Sequence, residues 1–227
     1  MLLYYITDRR AFSGTESDQR SAVIERIAAA ARAGVDYIQL REKDLSVREL
    51  ERLAHDAVSA VRANSRTTKL LINSRTDVAL ACGADGVHLP GGEIPASENR
   101  ALWTKACDRQ PIIGVSAHSV EEVGLAYSHG ADFAVLAPIF EKEQTAGLGI
   151  GLDVLRQACI RSSAQPNVEG PASGVFAVLA LGGVTLANAA ACIAAGAAGI
   201  AGIRLFQQGS LSETVRRLRE IEVDGEA

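Results

Sequence analysis

Four short segments of this 227-residue chain repeat one pattern. Ala33-Gly34-Val35-Asp36, Cys82-Gly83-Ala84-Asp85, His129-Gly130-Ala131-Asp132 and Ala195-Gly196-Ala197-Ala198 each join the end of a helical pattern to the start of an apolar run. A glycine just past a helix takes the left-handed conformation without steric cost, so a very short loop can return the chain to a sheet. Successive glycines lie 49, 47 and 66 residues apart, and the first two intervals each hold two strand-plus-helix units. The excess in the third falls at SSAQPNVEGPASG, residues 162–174, which reads as a surface loop insertion.

The segments between these glycines alternate in type. Runs rich in β-branched residues occur at 2–6, 35–40, 69–73, 85–89, 112–116, 132–137, 175–181 and 198–203, and helical patterns occur near 18–33, 46–63, 75–82, 96–107, 119–129, 151–163, 185–195 and 210–221. Ser46, Ser119 and Thr185 stand where an N-cap is needed. The strands are apolar throughout rather than alternating, as in a parallel sheet covered by helices. Eight such units in about 230 residues predict an α/β protein, a (β/α)₈ TIM barrel forming one domain over residues 1–227. An open doubly wound sheet is the structural alternative.

Composition narrows the function classes. Apolar residues at 48% and charged ones at 22% are globular proportions. The 23 basic and 27 acidic residues give a net charge of −4 and are scattered, so no nucleic-acid partner is expected. Cys82, Cys107, Cys159 and Cys192 show no metal or redox spacing and are expected to be reduced, buried thiols in a cytoplasmic protein. The N-terminal MLLYYITDRR lacks the basic region of an export signal and reads as a first strand. Residues 170–203 carry no charge, but Gly182-Gly183, Thr185 and Asn188 interrupt them, so no membrane span is expected.

In a barrel of this kind the chemistry sits at the C-terminal ends of the strands. The second strand ends in Gln39-Leu40-Arg41-Glu42-Lys43. Alternation places Gln39, Arg41 and Lys43 on one side, a set suited to a phosphate or pyrophosphate, whereas a solvated strand end with Glu42 neutralising a neighbour is the plainer reading. The third strand ends in Asn73-Ser74-Arg75, the fourth in His88-Leu89-Pro90-Gly91-Gly92-Glu93, and the fifth in Ser116-Ala117-His118. His118 is the candidate acid/base group, because imidazole titrates near neutral pH; a structural histidine at the start of the following helix is the alternative. His55 and His129 fall in helices or at their ends and are expected at the surface. Gly182 and Gly183 after the seventh strand, with Ile203 and Arg204 after the eighth, offer freed backbone amides for a phosphate, or else a tight turn.

The segments QLREK, INSRTD, GADGVHLPGGE, GVSAHSVEE, GADFAVLAPIF, LALGGVTLANA and AGAAGIAGIRLF, in this order from Leu3 to Phe206, resemble thiamine phosphate synthase and its relative, the TenI thiazole tautomerase. The resemblance implies a (β/α)₈ barrel of thiamine biosynthesis that binds a thiazole phosphate. The synthase joins it to a hydroxymethylpyrimidine pyrophosphate with Mg²⁺; the tautomerase converts an exocyclic thiazole carboxylate phosphate to its aromatic form and needs no cofactor. Gln39, Arg41 and Lys43 match the family's pyrimidine and pyrophosphate contacts, and Asn73 matches the asparagine of its INDR motif. Three positions depart from the synthase. Ser74 replaces a metal-binding aspartate, Glu93 stands for the second, and the Thr-x-Thr-Lys segment becomes Lys142-Glu143-Gln144-Thr145, leaving Lys142 as the nearest cation.

These losses fall on groups that would meet the charge of a departing pyrophosphate. The residues for a thiazole phosphate are kept: Gly182, Gly183, Ile203, Arg204 and His118, with Ser116 and Gln39 to orient it. Sequence alone therefore favours a TenI-like tautomerase in which His118 moves the proton. Thiamine phosphate synthase is the alternative, and a non-catalytic phosphate-binding barrel or another phosphate-using barrel enzyme comes third. Homo-oligomerisation is left open.

Overall fold

The structure, a computed structural model, describes residues 1–92, 94–141, 149–163 and 176–221. In chain order the elements are β1 (Leu2–Ile6), a 3-10 turn (Arg9–Ala11), α1 (Glu16–Ala33), β2 (Tyr37–Leu40), α2 (Val47–Asn64), β3 (Lys69–Asn73), α3 (Thr76–Cys82), β4 (Gly86–Leu89) and α4 (Ala96–Ala106). They continue as β5 (Ile112–Ala117), α5 (Val120–Ser128), β6 (Phe133–Leu136), α6 (Gly151–Ser163), β7 (Ala177–Ala180), α7 (Ala189–Ala194), β8 (Gly199–Gly202), α8 (Arg204–Gln207) and α9 (Leu211–Glu220). The strands pair in sequence order as a closed barrel, which is the expected (β/α)₈ topology rather than an open sheet with two free edges. Pairing is parallel, with Tyr4 opposite Tyr37, Ile38 opposite Leu70, Gly114 opposite Phe133 and Val178 opposite Ala134.

The four repeated glycines do what their position requires. Gly34, Gly83, Gly130 and Gly196 have φ of +84°, +71°, +77° and +99°. In each case the next residue donates its amide to the carbonyl five positions back: Val35 to Ala30, Ala84 to Ala79, Ala131 to Ala126 and Ala197 to Cys192. That bond closes the helix end and turns the chain into the next strand. The aspartates that follow tie this strand to its predecessor. The Asp36 carboxylate accepts the Leu3 amide at 2.7 Å, Asp85 that of Leu70 at 2.9 Å and Asp132 that of Ile113 at 2.7 Å. The same aspartates donate their own amides to the carbonyls of Leu3, Leu70 and Ile113. Ala198 keeps only the backbone half of this arrangement, donating to Val178.

Packing divides the chain into two compact units. The first comprises Leu3–Val87 and the chain from Gly202 onward. In it, α2 turns Leu50, Leu53, Ala54, Ala57, Val58 and Val61 inward as one buried stripe, and α1 packs against it. Capping boxes at Thr15 with Asp18 and at Ser46 with Glu49 start these helices, and Arg219 of α9 donates to Gly34 and Asp36. The second comprises Met1–Leu2 and His88–Ala201. Its core includes Trp103, Phe133, Ile113 and Leu155, all buried, with Ser119 capping α5 as expected and α6 lying against α5.

Three expectations need correction. The helix expected from Thr185 begins at Ala189, because Asn188 accepts the Thr185 amide at 2.7 Å and donates to the Gly183 carbonyl at 3.0 Å, closing a turn ahead of the helix. The alternation assigned to Gln39, Arg41 and Lys43 stops with the strand at Leu40, since the Arg41 amide leaves the ladder for the Thr7 hydroxyl at 3.0 Å. The short α8 and the 3-10 turn were not expected. Cys107, at the end of α4, is half-buried rather than buried, whereas burial pushes the Cys159 and Cys192 thiols up to about 11. Of the expected 162–174 insertion, residues 162 and 163 complete α6 and the rest lies outside the described residues, as do Glu93 and Lys142. Among the described residues no helix is long and apolar enough to cross a membrane.

Candidate functional site

In the first unit the end of β2 carries the densest polar set. Gln39 is 1% exposed, and its Nε2 donates to the Tyr4 hydroxyl at 2.8 Å, which burial holds in its protonated form. Beyond the strand, Glu42 turns inward. It is 5% exposed and accepts the Thr7 hydroxyl at 2.6 Å, the Arg9 amide at 3.2 Å and the Arg9 guanidinium at 3.2 Å. Burial raises its carboxyl above the usual range, and these donors pull it back. Arg41 and Lys43, on either side, point no charge at a partner: among the described residues neither side chain has a hydrogen bond or ion pair. Glu42 therefore does not neutralise its sequence neighbours.

At the end of β3, the Asn73 side-chain amide donates to Ser74 Oγ at 3.0 Å. Ser74 has φ of +60°, the single non-glycine in the left-handed region among the described residues. Such a conformation costs an ordinary side chain about 1–2 kcal/mol and is concentrated at working sites. After β8, Ile203 is half-buried and Arg204 exposed, and neither amide has a hydrogen-bond partner among the described residues.

In the second unit, Ser116 and His118 follow one another at the end of β5. The Ser116 hydroxyl lies 2.9 Å from Nε2 of His88, a buried imidazole that sequence reasoning gave no role. Gly114 makes room for it, because a Cβ there would stand 2.8 Å from His88 Nδ1 and 2.3 Å from the Phe133 ring. The alternation of His88 and the β5 residues about a shared interior was the signal available. His118 is exposed, and its Nδ1 lies 2.8 Å from the Ala137 carbonyl oxygen. A carbonyl only accepts, so Nδ1 carries a proton, and Nε2 has no partner among the described residues. Ser119, not His118, caps α5.

Gly182 and Gly183 have φ of +94° and +66°. Their carbonyls are engaged, Gly182 by the Phe140 amide at 3.0 Å and Gly183 by Asn188, while their amides have no partner among the described residues. Two consecutive donors in this left-handed turn are thus left without partners among the described residues. By contrast, a groove of about 680 Å³ between α1 and α2, lined by Arg20, Ile24, Arg52 and Asp56 among others, contains none of the candidate residues. The candidate chemistry lies at the strand ends.

The family model for thiamine monophosphate synthase matches residues 3–206. The chain belongs to that family. The thiamine-phosphate synthase of Methanoregula boonei is 40% identical over 223 residues, covering 96% of this chain and 91% of that protein. That of Methanoculleus marisnigri is 35% identical over 226 residues, covering 96% and 93%. The solved thiamine phosphate pyrophosphorylase from Pyrococcus furiosus matches with a TM-score of 0.76 at 26% identity, over 100% of this chain and 97% of that one. As a member of the thiamine monophosphate synthase family, the protein is an enzyme. These relatives carry the name of the synthase, the reading that sequence alone had placed second.

The family's Mg²⁺ chemistry can be tested against one of its two positions. Ser74 is neutral and its hydroxyl already accepts from Asn73, and among the described residues no group of three or more His, Cys, Asp or Glu side chains could hold a metal. Ser74 therefore does not supply the hard, charged oxygen that Mg²⁺ prefers.

Proposed function

We propose that this protein is a thiamine-phosphate synthase, joining a hydroxymethylpyrimidine pyrophosphate to a thiazole phosphate with release of pyrophosphate. One observation carries the reading: among the described residues, Arg41 and Lys43 have no side-chain partners, and the carboxylate between them is turned away. A tautomerase has no pyrophosphate to hold, whereas a synthase needs cations where the leaving group's charge develops. The names of the family and of its relatives support the same choice. In this reading Arg41 and Lys43 take the pyrophosphate, with Lys142 as a further cation. Gln39 and Asn73 contact the pyrimidine half, Ser116 orients the substrate, and the amides of Gly182, Gly183, Ile203 and Arg204 hold the thiazole phosphate. Binding converts a bimolecular encounter into a positioned displacement: the thiazole nitrogen forms a bond to the pyrimidine methylene carbon as the bond from that carbon to the pyrophosphate oxygen breaks. No step is assigned to Mg²⁺.

A second reading, the TenI-like tautomerase, is favoured by Nε2 of His118, which has no partner among the described residues and, in a neutral ring, accepts a proton from a thiazole precursor. The deciding experiment offers the purified protein both substrate sets in Mg²⁺ and follows thiamine phosphate formation and thiazole aromatisation in parallel. Thiamine phosphate formation that Arg41→Ala abolishes supports the synthase. Aromatisation without condensation would replace it by the tautomerase, and binding of thiazole phosphate with neither reaction would leave a non-catalytic barrel.

A further inference from the structure

The TDR segment at the end of β1, Thr7-Asp8-Arg9, plays no part in the proposed reaction, yet it contains two of the most buried polar side chains among the described residues: Thr7 is 0% and Arg9 3% exposed. We propose that Thr7, Arg9 and Glu42 form a clamp that positions the Gln39–Lys43 segment and keeps Arg41 and Lys43 clear of carboxylate partners, so that both cations remain available to the substrate's pyrophosphate. The inference rests on the synthase reading of Arg41 and Lys43.

Thr7 binds the segment at three successive points. Its amide donates to the Gln39 carbonyl at 2.9 Å, its hydroxyl oxygen accepts the Arg41 amide at 3.0 Å, and its hydroxyl proton goes to Glu42 at 2.6 Å. One hydroxyl therefore sets where the backbone leaves the strand on each side of Arg41. Arg9 completes the arrangement through its charge. The sequence Arg41-Glu42-Lys43-Asp44 alternates sign, and two carboxylates so close to two cations would pair with them in solution. Arg9 takes both instead, reaching Glu42 at 3.2 Å and Asp44 at 2.6 and 2.7 Å, with Glu16 at 2.9 Å as a further partner. Arg10 adds a second contact to Asp44 at 2.8 Å. The result is a segregation: the negative members of the alternating run face Arg9, and the positive members have no partner among the described residues.

The test is ligand binding by the full-length protein, measured by calorimetry with inorganic pyrophosphate and Mg²⁺ and, separately, with thiazole phosphate. Arg41→Ala weakens pyrophosphate binding by about tenfold or more, the loss expected when a charged contact is removed. Thr7→Val, which keeps the side-chain shape but not the hydroxyl, weakens it by a similar factor, about tenfold, because displaced binding groups lose most of their effect. Thr7→Ser restores it, and thiazole phosphate binding changes by less than about twofold throughout. Wild-type pyrophosphate affinity in Thr7→Val alongside a weakened Arg41→Ala overturns the clamp. So does equal weakening of both ligands in Thr7→Val, or a Thr7→Ser as weak as Thr7→Val. Wild-type affinity in Arg41→Ala overturns the pyrophosphate reading itself, and the clamp with it. If Thr7→Val fails to fold, Glu42→Gln carries the same expectations, since a carboxamide presents a donor where the Arg9 amide and guanidinium need acceptors.

Discussion

Replacing Gly183 with alanine separates two costs that the structure places at one residue. The first is conformational: at φ of +66° an L-residue pays about 1–2 kcal/mol relative to glycine. The second is contact: a Cβ at this position would stand 2.7 Å from Phe140 Cβ and 2.9 Å from the carbonyl oxygens of Phe140 and Glu141. Two of these three neighbours are backbone, so the turn must shift, at about 1–3 kcal/mol for an overpacked site. Gly209 is the control, with φ of +62° and nothing within 4 Å of its Cβ position. Gly209→Ala carries the conformational cost alone, and the difference between the two variants is the contact cost. At about 2–4 °C per kcal/mol for a domain of this size, Gly183→Ala should melt about 2–12 °C below Gly209→Ala in differential scanning calorimetry. Displacement of the turn also moves the Gly182 and Gly183 amides, so thiazole phosphate affinity should drop about tenfold in Gly183→Ala and stay at the wild-type value in Gly209→Ala. Equal melting temperatures would refute the contact argument, and undiminished phosphate binding at lowered stability would place the phosphate elsewhere.

Three other outcomes follow from the same geometry. Asp132→Ala, which strips the Ile113 amide and the Arg100 guanidinium of a buried carboxylate, should cost about 2–4 kcal/mol in urea unfolding, against about 1 kcal/mol for Asp132→Asn, which keeps an acceptor; equal costs would mean the charge and the bond contribute nothing. His118→Asn should slow any thiazole aromatisation by about 10²–10⁴ without lowering thermal stability, and an unchanged rate would hand the proton to another group. The Glu49 carboxyl is held at about 2 against an ordinary 4.5, first by the Ser46 hydroxyl and then by Arg20. Its stabilisation is thus present above pH 4.5 and lost as pH falls towards 2, and Glu49→Gln should flatten the decline in melting temperature over that window; an unaltered decline would remove Glu49 from the account.

The fold was legible because its signals are local. Gly34, Gly83, Gly130 and Gly196 announce helix ends through backbone conformation alone, and runs such as LLYYI and KLLIN are too apolar for any surface. Ser46 and Ser119 declare helix starts by the same short-range logic. Thr185 misled because Asn188, three residues later, competes for its amide and forms a turn that propensity does not rank. The site was legible by residue type but not by partner. Arg41 and Lys43 stood out as cations after a buried strand, yet that Glu42 abandons them for Arg9 depends on a residue 33 positions away. The pairing of His88 with Ser116 spans 28 positions and requires the empty side of Gly114, which no pattern along one strand reveals.

The aspartates at the start of alternate strands have a consequence for how the chain can be cut. Each ties partners close in sequence: Leu3 to Asp36 across 33 residues, Leu70 to Asp85 across 15 and Ile113 to Asp132 across 19. New termini placed between β1 and β2 would keep the Asp36 tie in space but send its two ends to opposite extremes of the chain, adding about 1.5 kcal/mol of closure entropy. New termini between β2 and β3 would leave every such tie short. The molecule is thus stitched in pairs of strands, with its seams after the even ones, and a circular permutant opened at a seam inherits each stitch intact.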